Sequence, residues 1–306
     1  MPYMLLENLY TTLVEDIDSL SDSDYSLLSD LNDNEFVNFS ETWEQLETKS
    51  QIQIIASIYD LSEENSDLNF EKIFKLGLKS SDESLIYASL EGLWESDGHD
   101  TLRQLILLAH KTLSPHVKGT IMTHIARFIV LGIDGKINST MLENVHTLLK
   151  TTYNNHEEST EVRRRALESL AYFDNPETQD FIKEAYISNN PTLKVSSIYA
   201  MGKTCNTIWI PLLCEELNNE DPEIRYESVE AIVEIGEDKS AEILLQLIED
   251  DDQQVRLSVI SGLGKLGTLS SKEALIKCMD DEDDEVIEAA RLSLENLDFL
   301  EDPLGL

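Results

Sequence analysis

Apolar residues recur in this chain with a long, regular period. Positions five and eight residues after a recurring aliphatic anchor are apolar in nearly all copies. At 100° per residue, the anchor and these two positions form one stripe, which predicts an amphipathic helix. The anchors lie 31 residues apart over the C-terminal half and 32 apart earlier, and they are Leu85, Val117, Val162, Leu193, Ile224, Val255 and Val286.

Each anchored helix is bounded by recognisable start and stop signals. Asn190-Pro191 and Asp221-Pro222 precede two of the helices, as an N-cap followed by proline at the first helical position. Gly236 and Gly267 follow two of them, where a helix commonly ends. A second apolar-periodic stretch separates consecutive anchored helices. The repeating unit is therefore predicted to be a helical hairpin, present about seven times.

Two departures from strict repetition stand out. The step from Val117 to Val162 equals one period plus about 14 residues, which places an insertion at 132–140. Small residues recur seven positions after the anchor, where a neighbouring helix is expected to approach closely; they are Gly92, Ser169, Ala200, Ala231, Gly262 and Ser293.

The best-conforming runs carry a family resemblance. DPEIRYESVEAIVEIG (221–236) and DDQQVRLSVISGLGKLG (251–267) resemble bacterial HEAT repeats of the phycobilin-lyase-like type, whose second helix follows D-P-x-V-R-x-x-A-x-x-A-L-x-x-L-G. The match is good over 176–298, fair over 70–175 and poor before residue 49. The resemblance implies an all-α protein, an α-solenoid forming a right-handed superhelix of about seven hairpins. We expect residues 1–48 to form an acidic N-terminal helical cap and 49–306 the solenoid, with an acidic C-terminal cap.

Charge restricts the classes of partner. The chain has 60 acidic and 23 basic residues, a net charge of −37, which disfavours nucleic acid and anionic membranes as partners. The start lacks the basic region of a signal peptide, and no apolar run is long enough to span a bilayer. Three cysteines without C-x-x-C spacing argue against a disulfide framework or a zinc site. We therefore expect a cytoplasmic protein, monomeric, without cofactor.

Catalytic and metal motifs are weak. Iron-dependent hydroxylases that resemble this fold need several His-Glu pairs, whereas only His156-Glu157 occurs here. Residues 30–41 nearly fit a calcium loop, but Glu35 replaces the glycine that its sharp turn requires. Its candidate ligands are Asp30, Asn32, Asn34 and Glu41. Partial matches of this kind arise by chance in an acidic chain, so we predict no metal site and no enzymatic activity.

A row of cations follows the helix starts. Arg225 and Arg256 each lie four residues after an aspartate, and Arg163 and Lys194 occupy equivalent positions. They could form an anion-binding row. We favour instead a ladder in which each cation pairs with a capping acid of its own or the next unit.

A partner surface is predicted at the positions two, six and ten residues after each anchor, which point away from the core stripe. In solenoids of this kind the second helices line the concave face. Tyrosine and arginine are enriched in binding hot spots, although these tyrosines could equally cover neighbouring aliphatic stems. The predicted function is a noncatalytic scaffold that binds a protein segment; the alternative is an enzyme or lyase-like protein of the same superfamily. The candidate residues are Tyr87, Arg127, Arg164, Glu168, Tyr172, Tyr199, Lys203, Tyr226 and Glu230.

Overall fold

The structure is a computed structural model that describes residues 2–237 and 239–301. In these ranges every regular element is helical, which confirms the all-α prediction. Five short 3-10 segments accompany the α-helices. In chain order the α-helices are α1 (Pro2–Glu15), α2 (Asp22–Tyr25), α3 (Asp33–Trp43), α4 (Thr48–Glu64), α5 (Glu71–Gly77), α6 (Glu83–Glu91), α7 (His99–Lys111), α8 (Pro115–Ile133), α9 (Ser139–Asn154), α10 (Thr160–Leu170), α11 (Pro176–Tyr186), α12 (Pro191–Lys203), α13 (Ile210–Glu216), α14 (Pro222–Ile235), α15 (Ser240–Leu244), α16 (Gln253–Leu266), α17 (Leu269–Cys278) and α18 (Asp284–Glu301).

From α5 onward, the described helices alternate along the chain between first and second helices of seven repeats, and each second helix carries the sequence anchor. All seven anchors are buried, with at most 7% of their surface exposed. The α-solenoid repeat predicted from the 31-residue period is therefore confirmed. The chain divides into two compact units, residues 1–148 and 149–306, with the division inside α9.

In the first unit, α4 takes the place of a second helix before the first regular hairpin, because it packs against α6. Helix α6 in turn packs against α8, and α1 lies against α3. An aromatic cluster forms the core beneath α1 and α3, where the ring of Phe39 lies 6.0 Å from that of Tyr10 and 5.8 Å from that of Trp43. The segment before residue 49 is thus helical and has a buried core.

The insertion predicted at 132–140 is absorbed by longer helices. Helix α8 has 19 residues, against 14 in α14 and in α16, and α9 has 16 against 11 in α11. Gly135 makes the turn between α8 and α9 at a φ of +75°, a conformation that glycine adopts without steric cost. The extra residues form no independent element, so α8 and the following α9 are simply longer than their counterparts in the other repeats.

In the second unit, the second helices α10, α12, α14, α16 and α18 contact one another in series. The small residue seven positions after an anchor meets the residue nine positions after the preceding anchor. A Cβ atom at Gly202 would lie 2.7 Å from the Cα of Ala231, one at Gly262 would lie 2.5 Å from a methyl of Val233, and one at Gly264 would lie 2.8 Å from the Cβ of Ser293. Each of these three steps thus contains a glycine, on one side or the other, that permits the approach.

The predicted cation ladder forms in part: Lys194, Arg225 and Arg256 pair with acids, whereas Arg163 donates to the backbone carbonyl of Tyr153 at 2.8 Å. The Arg225 guanidinium, 8% exposed, bonds Asp250 through two nitrogens at 2.7 and 2.8 Å and Asp251 at 2.7 Å. Burial raises the pKa of Asp250, but hydrogen bonds from Arg225 and the Asp252 amide outweigh it, so the pKa lies below its ordinary value. Arg256 pairs with Asp283 at 3.4 Å. The acids therefore come from the following unit, which ties consecutive hairpins together.

Replacing Gly202 with valine tests the close approach. We expect Gly202→Val to lower the free energy of unfolding by about 1–3 kcal/mol or more, because its side chain would overlap the α14 backbone at Ala231. Urea denaturation monitored by circular dichroism measures the loss. Ser261→Val, at an exposed position of α16, is the matched control and should change stability by about 0.5 kcal/mol or less. Equal losses in both variants would contradict this packing.

Removing a cation from the ladder should cost more where the pair is better buried. We expect Arg225→Met to destabilise the protein by about 3 kcal/mol, because it leaves the Asp250 carboxylate buried without its cation. Arg256→Met should cost about 1 kcal/mol or less, because the Asp283 side chain is 30% exposed. The same urea titrations compare them, and Arg225→Met combined with Asp250→Leu should recover much of the loss. Similar costs for the two single variants would contradict this ranking.

Candidate functional site

The predicted partner residues fall in both units. In the first unit, the half-buried ring of Tyr87 on α6 stacks on His116 at 4.6 Å. Arg127 on α8 donates from a guanidinium nitrogen to the backbone carbonyl of Trp94 at 3.2 Å. The Trp94 side chain is 51% exposed, a surface feature that sequence reasoning missed because it follows the helix end.

In the second unit, Arg164 and Glu168 satisfy each other on α10. Arg164 bonds Glu168 at 3.0 Å and Glu161 at 2.5 and 2.9 Å, and Arg165 shares both carboxylates. Glu168 also accepts a hydrogen bond from the Ser196 hydroxyl of α12 at 2.7 Å. The cation predicted to meet a partner is therefore already neutralised within its own helix.

The remaining predicted residues of this unit converge, apart from Tyr172. A cavity of about 220 Å³ lies between α12 and α14, and we call it the α12–α14 cleft. Residues four apart on a helix lie on one face, which brings Tyr199 and Lys203 to the cleft from α12 and Tyr226, Glu230 and Glu234 from α14. Its lining is Tyr199, Gly202, Lys203, Tyr226, Glu227, Glu230, Ala231 and Glu234.

Lysine and tyrosine are locked together on the α12 side of the cleft. The Lys203 ammonium lies 5.5 Å from the centre of the Tyr199 ring and 2.8 Å from a carboxylate oxygen of Glu234. Burial raises the pKa of Tyr199, and Tyr172, Glu168 and Glu234 add to the increase, so its hydroxyl is protonated at neutral pH. This side of the cleft offers a tyrosine and an internal ion pair rather than a free cation.

Glu227 is the residue that sequence reasoning missed. Burial raises the pKa of its carboxyl to about 7, Glu168, Glu230 and Glu223 add to the increase, and Arg164 opposes it. In the described part of the chain its side chain has no hydrogen bond or ion pair, while Glu230 accepts from Ser258 at 2.7 Å. Glu227 is thus a half-buried carboxyl that reaches the cleft without a partner.

A break in the repeat explains the cleft and could have revealed it. Three positions after the anchor, Ser196 and Ser258 each donate to the glutamate six positions after the preceding anchor, Glu168 and Glu230. In the step between α12 and α14 the serine is replaced by Glu227 and the glutamate by Tyr199. The hydrogen bond that joins neighbouring second helices in those two steps is absent here. A position-by-position alignment of the repeats carries this signal.

Comparison with known proteins agrees with this architecture. Residues 210–295 match the family model of HEAT repeats. The chain therefore carries HEAT repeats over this segment. No curated protein matches its sequence.

Solved structures share the fold of this chain at low sequence identity. The complex of CpcE and CpcF of phycocyanin lyase from Nostoc sp. PCC7120 is 16% identical over 77% of this chain and 89% of that chain, with a TM-score of 0.51. A chain of the Kap95p–RanGDP structure is 11% identical over 97% of this chain, with a TM-score of 0.54; only 46% of that longer chain is covered. Human deoxyhypusine hydroxylase is 11% identical over 97% of each chain, with a TM-score of 0.36, too low to support an argument. Proteins of different function share this fold, so the likeness assigns no activity.

The calcium-loop candidates lie at the start of a helix. Asn32 caps α3 by accepting from the amides of Asn34 and Glu35, and the Glu35 carboxylate accepts from the Asn32 amide in return. Asn34 and Glu41 lie seven residues apart along α3, about 10 Å along its axis, so they and Asp30 do not surround one point. The glutamate that breaks the loop motif is the second half of a capping box.

Other classes of site leave no trace in the described ranges. No group of three or more His, Cys, Asp or Glu side chains there is placed to hold a metal. No helix in the same ranges combines the length and apolar character needed to cross a bilayer. All three cysteines are free thiols, and Cys278 is buried.

The raised pKa of Glu227 predicts a pH dependence of stability. A carboxyl whose folded pKa of about 7 exceeds its unfolded value stabilises the fold fully below pH 4.5, and this contribution is lost as pH rises through 7. Glu227→Gln should therefore stabilise the protein relative to wild type at pH 8, by about 1–2 kcal/mol after allowing for solvent screening, but not at pH 5. Urea titrations at both pH values measure this. Glu242→Gln, an exposed charge on α15, should keep the wild-type slope; an unchanged slope in Glu227→Gln would contradict the assignment.

Proposed function

We propose that this protein is a noncatalytic scaffold that binds a segment of another protein on the second-helix face of its second unit. The observation that supports the proposal is the α12–α14 cleft. It is a cavity between two neighbouring second helices, and two tyrosines line it. Tyr199 is 36% exposed although its neighbours on α12 are packed, and Tyr226 stands on the opposite wall. Rigid aromatic side chains that keep a polar hydroxyl are the commonest anchors of protein interfaces.

Proteins of the same fold bind other proteins. In one similar structure Kap95p binds RanGDP, and another is a complex of CpcE with CpcF. The net charge of −37 favours a protein partner over nucleic acid. The ion pairs of Arg164 and Lys203 with carboxylates of this chain further favour recognition through tyrosine and unpaired carboxylate rather than through free cations.

The competing interpretation gives the tyrosines only a packing role. In that case they shield the stems of neighbouring side chains, as the Lys203 ammonium over the Tyr199 ring suggests. The two interpretations predict different results when the tyrosines are truncated: loss of packing residues changes stability, whereas loss of hot-spot residues changes partner capture at unchanged fold.

A capture experiment with matched variants separates them. Tyr172→Ala, Tyr199→Ala and Tyr226→Ala combined should reduce capture of a dominant protein from native lysate more than tenfold, because hot-spot truncations typically cost about 2 kcal/mol or more each. Quantitative mass spectrometry of the tagged full chain measures this, after circular dichroism has shown that the helices are retained. The control combines Ile187→Ala, Ile208→Ala and Ile276→Ala, which are 77%, 52% and 54% exposed and lie on or beside first helices.

The control should capture the same proteins as wild type. Equal capture by the wild type, the tyrosine variant and the isoleucine control would overturn the assignment of the second-helix face. Loss of capture in the isoleucine control alone would also overturn it.

A further inference from the structure

The α12–α14 step has an open space where the steps before and after it have a bonded serine–glutamate pair. Ser196 and Ser258 bridge to glutamates of the preceding unit at 2.7 Å on either side of it. Between them, Glu227 occupies the serine position and faces the cleft that Tyr199 and Tyr226 also line. The substitution creates both a cavity and a carboxylate that nothing in the described chain binds.

The shape and chemistry of the cleft limit what fits. A volume of about 220 Å³ is smaller than the roughly 300–1,000 Å³ of sites for drug-sized ligands and suits a single long side chain. Two tyrosines supply aromatic faces, which attract cations through their negative π surface. Three carboxylates and one ammonium line the cleft, and that ammonium is already paired with Glu234.

We propose that the α12–α14 cleft receives a basic side chain, arginine or lysine, from the partner segment, and that Glu227 is its main carboxylate partner. This inference rests on the proposed scaffold function and names the chemistry that its partner must present. The cation would take the position between Glu227 and Glu230, against the tyrosine rings. The acidic protein as a whole would draw a basic segment toward this face by long-range attraction.

Charged side chains on all the helices around Glu227 contribute to the electrostatic potential in the cleft. Helix α10 contributes a carboxylate whose charge is shared with two arginines, and α12 contributes an internally paired lysine. Helix α16 reaches Glu230 through a serine hydroxyl and through an ammonium at 3.7 Å. With Glu227 ionised, five negative and four positive side chains face the cleft, so the net charge there is negative. The groups are Arg164, Arg165 and Glu168 on α10; Tyr199 and Lys203 on α12; Glu223, Tyr226, Glu230 and Glu234 on α14; and Ser258 and Lys265 on α16.

Small cations test the cleft directly in the full-length protein. Ethylguanidinium chloride represents an arginine tip, butylammonium chloride a lysine tip, and ethylurea is the neutral relative of the first. Amide chemical shifts of the deuterated, ¹⁵N-labelled chain are followed at constant ionic strength. We expect saturable shifts confined to α12 and α14 with at least one cation, at millimolar dissociation constants, and none with ethylurea. The stronger cation identifies the preferred side chain.

Matched variants separate local recognition from the general acidity of the chain. Glu227→Gln combined with Glu230→Gln should weaken binding at least fivefold. Glu242→Gln combined with Glu273→Gln removes the same two charges from exposed positions on α15 and α17 and should leave binding unchanged. Wild-type affinity should rise about tenfold from pH 6 to pH 8 as Glu227, with a pKa of about 7, ionises. Glu227→Gln should abolish that rise.

Three outcomes would overturn the proposal: shifts spread over the whole acidic surface, equal binding of ethylurea, or unchanged binding in the Glu227→Gln/Glu230→Gln variant. Its failure is distinguishable from that of the scaffold function. If cations do not bind while the tyrosine variant still loses its protein partner, the second-helix face remains an interface of different chemistry. If cations bind but the tyrosine variant captures the same proteins, the scaffold function fails at this face.

Discussion

The close approach of consecutive second helices is the constraint on which the rest of the second unit depends. It requires a small residue at each crossing, and the sequence places a glycine on one side or the other of three successive steps, at Gly202, Gly262 and Gly264. Because the backbones nearly touch at these crossings, side chains nearer the helix starts are forced to face each other across a short gap. The Arg225 ion pairs on one side and the serine–glutamate bridges on the other fill the polar part of that gap.

Residues that join the repeats and residues of the proposed binding site therefore occupy the same repeat positions. The position three residues after the anchor holds serine in the two bridged steps and Glu227 in the step that opens into the cleft. Changing that one residue type, together with the facing Tyr199, turns a joint between repeats into a recess. No loop, insertion or additional domain is needed, and the longer helices α8 and α9 contribute no residue to the recess.

The repeated part of the fold was predictable from sequence because one period determines both burial and neighbour contacts. The seven anchors are buried as their 31-residue spacing requires, and the acid partners of Arg225 and Arg256 belong to the next unit, one of the alternatives expected. The cleft was predictable only in part. Tyr199, Lys203, Tyr226 and Glu230 follow from helical geometry, but the two-six-ten rule passes over Glu227. Glu227 is unpaired because Tyr199 on α12 replaces the polar residue that would face it. The apolar pattern of one helix holds no information about the residue that faces it from the next helix. Likewise, the near-calcium motif at 30–41 could not reveal that Glu35 serves a helix cap instead.

Quasi-equivalence of the hairpins has a consequence for how such a surface can change over time. Since each step offers the same backbone crossing, the location of a recess is set by the pair of residue types that face each other there and not by the path of the chain. Replacing serine by glutamate at one step would open a recess there, and replacing glutamate by serine at another would close one. The recess would then lie one or more repeats away, and the helical stack would be unchanged. A few point substitutions can therefore move such a recess from one step to another, while the buried core residues stay the same.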